Sequence, residues 1–162
     1  MPDAPAGEAT IEPGPQEERA DAPTVFSGDL TLMDPHVVLE TDVSAPVRSG
    51  NLTGSFYLPE DVETGGGPYH LVIVVPGFGA SYPGYSLYSN HMASWGFAVL
   101  GINFTDAGNH LQSAEDILDA IDWAGASSDH ASAIDVTRVA TAGHSAGGKV
   151  AYYAAALDPE RI

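Results

Sequence analysis

A chain of 162 residues with 44% hydrophobic content can bury one core, so the expectation is a single domain or part of one. Five basic residues against 22 acidic ones leave a net charge of −17, which repels nucleic-acid phosphates and anionic lipid headgroups and argues against either as a partner. The absence of cysteine excludes disulfide staples, thiolate metal sites and a cysteine nucleophile.

Residues 1–23 are rich in Pro, Ala, Gly and Glu and hold almost no large apolar side chains. Such a segment cannot offset the entropy of ordering, so it is expected to be a disordered acidic tail, with the folded part starting at residue 24. The start of the chain lacks the basic and apolar regions of a signal peptide, and no stretch reaches the roughly 20 apolar residues of a membrane span.

Between Thr24 and Leu58, segments such as HVVLETDV and LTGSFYLP alternate β-branched and aromatic residues with polar ones. They predict antiparallel strands at a sheet edge. GGGP at 65–68 reads as a flexible turn, and the continuous apolar run LVIVVP at 71–76 predicts a strand buried on both faces, the start of the sheet's centre.

A helix is expected from Ser86 to Trp95, with Leu87, Met92 and Trp95 as its apolar residues and Gly96 as its stop. FAVLGIN at 97–103 predicts a second buried strand. Ser113 and Asp116 have capping-box spacing, which predicts a helix from there to about Trp123, with Asp116, Asp119 and Asp122 on a solvated face rather than at a metal site. RVATAG at 138–143 is the third strand, and AGGKVAYYAAAL at 146–157 the third helix. This β-α-β-α-β-α order implies an α/β fold with a mostly parallel sheet.

Gly143-His144-Ser145-Ala146-Gly147 matches G-x-S-x-G, the elbow in which a strand turns sharply into a helix and presents a serine hydroxyl. In a chain rich in Gly and Ser the five residues alone are a weak signal. Their setting is the stronger one, since the match follows a predicted strand and opens a predicted helix. Ser145 is therefore the candidate nucleophile and Gly143 and Gly147 the elbow glycines, whose missing side chains would otherwise block close approach of helix to strand; the alternative is a plain glycine-rich turn. An oxyanion also needs donors. The N–H of Ala146 is one candidate, and that of Phe78, in the loop Pro76-Gly77-Phe78-Gly79-Ala80-Ser81, is the other; the alternative for Phe78 is a ring packed in the core of a tight turn.

PGFGASYPGYSLYSNHMASWGFAVLGIN together with IDVTRVATAGHSAGGKVAYYAAAL resembles the α/β-hydrolase group that contains chlorophyllases, cutinase-like polyester hydrolases and platelet-activating-factor acetylhydrolases. The resemblance spans roughly residues 50–162. It implies the N-terminal part of an α/β-hydrolase three-layer sandwich over residues 24–162 and cofactor-free hydrolysis of small-molecule or polymeric carboxylic esters. Ser145 would be the nucleophile, and the N–H groups of Phe78 and Ala146 the oxyanion hole. GHSAGGK is closer to the chlorophyllase form of the motif, and the resemblance also leans towards secretion.

In this fold the triad runs Ser, then Asp or Glu, then His, yet no histidine follows Ser145. Asp158 and Glu160 come too soon, and His144 projects differently from its neighbour. His36, His70, His91, His110 and His130 precede the serine and are expected on the surface or in loops, His110 lying nearest the substrate crevice. No metal motif is present. Two readings remain. One is an esterase cut short, its last strands and its triad acid and base lying beyond Ile162. The other is a short inactive protein that binds a ligand or a partner chain, which could also supply the missing strands.

Overall fold

The computed structural model describes residues 36–162; the expected tail at 1–23, and the beginning of the segment expected to fold from residue 24, lie outside the described residues. The first elements are β1 (Val38–Val47) and β2 (Gly50–Pro59), an antiparallel hairpin as the alternating segments predict. Its tight turn is Arg48-Ser49, and Gly50 has φ +136°, a conformation L side chains rarely adopt. Then come β3 (Tyr69–Val75), α1 (Ser86–Ser94), β4 (Ala98–Ile102), α2 (His110–Ala126), β5 (Ile134–Gly143) and α3 (Ala146–Leu157).

The five strands form one sheet in the order β1-β2-β4-β3-β5. β3 is parallel to both β4 and β5, while β2 runs antiparallel to β4. The apolar runs LVIVV and AVLGI are thus the inner strands, and Leu71, Ile73, Val75, Ala98 and Leu100 have no exposed surface. α2 and α3 cover one face through Ile117, Ile121, Val150 and Ala154. α1 and the 3-10 turn Tyr82–Tyr85 cover the other, where Tyr82 and Ala93 pack on Tyr57, Val72 and Val99. This is the three-layer α/β-hydrolase arrangement as far as the described residues carry it. β5 stands last in the strand order and pairs with β3 alone among the described residues; the Val139 N–H, opposite a break in register, donates to the Arg161 carbonyl at 2.7 Å.

Three expectations are corrected. α2 begins at His110, three residues before Ser113: Asn109 is the cap, its side-chain oxygen accepting from the Gln112 N–H at 3.2 Å, and Ser113 turns its hydroxyl back onto the carbonyls of Asp106 and Asn109. Of the three aspartates expected on the solvated face of α2, Asp122 is exposed, Asp119 is half-buried and Asp116 is internal. Asp116 is 1% exposed and accepts from the Ser49 N–H, the Ser49 hydroxyl and the Thr105 hydroxyl. Asp119 receives the Arg48 guanidinium in two hydrogen bonds and the Arg48 N–H in a third, and Asp122 pairs with Arg161. Of the apolar residues expected for α1, Met92 packs on the sheet beside Ala93 and Trp95 at the helix end is buried, whereas Leu87 is 74% exposed.

Candidate active site

Because β3, β4 and β5 are parallel, their C-terminal ends lie at one edge of the sheet, and the segments that leave them are neighbours there. Gly143, the last residue of β5, is in register with Val75, the last of β3. His144 donates its N–H to the Val75 carbonyl at 3.3 Å, and Gly147 donates to the His144 carbonyl at 2.9 Å, so the chain reverses within four residues. Ser145 sits at the apex, exposed, with φ +53° and ψ −116°. It is the one non-glycine residue at positive φ among the described residues, and such a conformation costs on the order of 1–3 kcal/mol unless the surroundings enforce it.

What enforces it is close packing. A Cβ on Gly143 would lie 2.4 Å from the Gly147 carbonyl carbon, and one on Gly147 would lie 2.3 Å from the Val75 carbonyl oxygen and 2.4 Å from that of Pro76. Both are far inside contact distance, so α3 can leave β5 at this angle only with glycine at both positions. Ala146 is the first residue of α3, and its N–H is one of the four orphan donors at a helix start, beside the positive end of the helix dipole.

The loop 76–81 follows β3 beside this turn. Ala80 donates to the Gly77 carbonyl at 3.1 Å, with Gly79 at φ +73°, so the loop is a tight turn with Phe78 near its tip. The Phe78 ring is 73% exposed, which removes the alternative of a core-packed ring. The loop is held at both ends. The Tyr82 N–H donates to the Asn103 side-chain oxygen at 2.7 Å, beyond β4, and Gly77 donates its N–H to the Tyr85 hydroxyl at 3.2 Å. That hydroxyl also lies 3.1 Å from His144 Nδ1.

The other histidines lie elsewhere and not all in loops. His70, near the start of β3, is 3.2 Å from Asp135 at the opposite edge of the sheet from Ser145. The Thr137 hydroxyl, and after it the Thr137 N–H and the nearby His70 and Arg138, hold the Asp135 carboxyl below its usual range. His91 is in the last turn of α1, His110 opens α2, His130 sits edge-on to Phe56, and His36 is exposed ahead of β1. Tyr85 and the His144 imidazole were not singled out from sequence; they are 59 residues apart, and no local pattern relates them. Among the described residues no group of three His, Cys, Asp or Glu side chains is placed to hold a metal ion, and no helix is long and apolar enough to cross a membrane. A hollow of about 210 Å³ lined by Asp42, Phe56, Trp123, Asp129 and His130 includes none of the elbow residues.

A family profile described as PET hydrolase-like matches residues 13–161. A bis(hydroxyethyl) terephthalate hydrolase of Streptomyces coelicolor (strain ATCC BAA-471 / A3(2) / M145) is 32% identical over 132 residues, which cover 81% of this chain and 42% of that protein. The chain thus spans well under half the length of the curated relative it matches.

Proposed function

The chain belongs to the PET hydrolase-like family, and we propose that residues 24–162 are the N-terminal part of a serine hydrolase domain acting on carboxylic esters, with Ser145 as nucleophile. The observation that carries this reading is the backbone of Ser145: an exposed serine held at φ +53° between two glycines whose Cβ positions are filled by main-chain atoms. A turn with no chemical duty would relax by replacing the serine with glycine.

In the proposed reaction the Ser145 hydroxyl attacks the ester carbonyl and its proton passes to a histidine. Negative charge on the former carbonyl oxygen is met by the N–H groups of Ala146 and Phe78, the alcohol leaves with the proton, and water then releases the acid from Ser145. The exposed Phe78 ring offers an apolar wall for the acyl group. We assign the triad histidine and acid to a segment outside these 162 residues, an assignment supported by the greater length of the Streptomyces relative. The name of that relative makes small aromatic esters the first substrates to test.

The second reading is binding of an ester-like ligand or a partner chain without turnover. It is favoured by the engagement of His70, His130 and His144 with other residues.

The test joins this chain to the C-terminal remainder of the Streptomyces relative and treats it with a fluorophosphonate probe. Label is expected on Ser145 and nowhere in Ser145→Ala, and the 162-residue chain alone is expected to react at least about 10⁴-fold more slowly, as for loss of a triad member. A folded chimera that takes no label at Ser145 would leave the binding reading.

A further inference from the structure

The loop that carries Phe78 and the turn that carries Ser145 arise from strands about 70 residues apart in sequence, yet an oxyanion site needs them held to within a fraction of an ångström. One phenol lies between them. The Tyr85 hydroxyl accepts the Gly77 N–H at 3.2 Å and lies 3.1 Å from His144 Nδ1, and the two rings are tilted by 35° with centroids 6.2 Å apart. Gly77 is equally committed to this contact, since a Cβ there would lie 2.9 Å from His144 Nδ1 and 3.5 Å from the Tyr85 oxygen.

We propose that Tyr85 is a positioning residue that ties the loop after β3 to the elbow by accepting from Gly77 and donating to His144, and so holds His144 as the neutral tautomer protonated at Nε2. The donor count carries the direction. A tyrosine hydroxyl has one hydrogen and two acceptor lone pairs. The Gly77 amide uses a lone pair, so the hydrogen is left to find an acceptor, and the unprotonated Nδ1 of a neutral imidazole is the described atom within reach that provides one. The hydrogen of His144 is then on Nε2, as a ring nitrogen's state follows from the bond the other makes. The proton on Nε2 leaves Nδ1 as a fixed acceptor, so the imidazole clamps the phenol and, through it, the loop.

The chain of bonds runs Gly77 N–H to Tyr85 oxygen, and Tyr85 O–H to His144, the residue between Gly143 and Ser145. It sets the Phe78 N–H one residue from one end and the Ser145 hydroxyl one residue from the other. The consequence for catalysis rests on the proposed function above; the bonds and the tautomer do not.

Two measurements on the 162-residue protein test it. Long-range proton–nitrogen NMR of wild-type protein at pH 8 is expected to show His144 with a protonated Nε2 and a bare Nδ1. Hydrogen exchange in Tyr85→Phe is expected to run at least tenfold faster at the Gly77 amide than in wild type, with the Ile73 amide in β3 unchanged, and the His144 signals are expected to move towards a mixture of tautomers. A wild-type His144 protonated at Nδ1, or Gly77 exchange unaltered in Tyr85→Phe, would overturn the assignment. The wild-type spectrum decides the tautomer even if the variant fails to fold. Neither readout depends on Ser145 reacting, so failure here and failure of the esterase reading are told apart.

Discussion

The Tyr82 ring lies so tightly over Gly101 that a Cβ on the glycine would stand 1.5 Å from Tyr82 Cε2 and 1.8 Å from Cζ. Gly101 is the next-to-last residue of β4, inside a strand where glycine is otherwise unfavourable, and its bare Cα is what lets the 3-10 turn Tyr82–Tyr85 settle on the sheet. Gly101→Val is therefore expected to destabilise by about 3 kcal/mol or more, since Tyr82 has no room to retreat from a fully buried position. Urea unfolding of the two proteins measures it; a midpoint unchanged from wild type would mean the turn shifts freely.

Ser145→Gly is expected to stabilise the protein. At φ +53° and ψ −116° a glycine is unstrained and a serine is not, so roughly 1 kcal/mol should be recovered even after the extra chain entropy of glycine. Thermal unfolding of wild type, Ser145→Gly and Ser145→Ala separates the terms, because Ser145→Ala keeps the strain and removes only the hydroxyl. Loss of stability in Ser145→Gly would show that the conformation is not a burden on the fold.

Asp116→Ala removes the carboxylate that joins the β1–β2 turn to the loop after β4. Ser49 loses the acceptor of its N–H and Thr105 that of its hydroxyl, the latter bond being 2.6 Å. Because the site is buried, a loss of about 2–4 kcal/mol is expected. Asp116→Asn, which keeps the shape and one acceptor, should recover part of it. Equal unfolding midpoints for Asp116→Ala and wild type would rule this role out.

Asp119 gives a pH signature. Hydrogen bonding from the Arg48 side chain, above all, holds the Asp119 carboxyl below its usual range, against a smaller opposing effect of burial. A carboxyl lowered in the folded state contributes stability above its unfolded value of about 3.9 and loses it as the pH falls through the lower folded value. Asp119→Asn should therefore cost about 1 kcal/mol at pH 7, and the gap to wild type should close below about pH 4. A gap that stays constant down to pH 2 would assign the effect to packing rather than charge.

How much of this was legible beforehand follows from whether the signal was local. β3 and β4 are unbroken apolar runs because they are buried on both faces, and the elbow is a five-residue pattern at a strand-to-helix junction; both read directly. The start of α2 was also written locally, as Asn109 with Gln112 three residues on, whose side chains also bond each other at 3.0 Å. Ser113 and Asp116 have the same spacing and lie nearer the apolar stripe, so they masked it. Asp116 was misread because a carboxylate on a helix is usually solvated, and only the hairpin turn arriving 67 residues earlier in the chain makes it internal. Tyr85 and His144 are of the same kind: nothing within a few residues of either announces the other.

The order β1-β2-β4-β3-β5 also has a history built into it. The hairpin can close as soon as it is made, but β3 emerges next and has no partner yet: both of its neighbours, β4 and β5, are still to come. A newly made chain therefore carries LVIVV with two open, apolar edges through the synthesis of α1 and β4, and one edge stays open until β5 arrives. Long-range parallel pairing of this kind is slow and exposes sticky strands. The segment at greatest risk of self-association during synthesis is therefore β3, the strand that ends up held between two parallel neighbours.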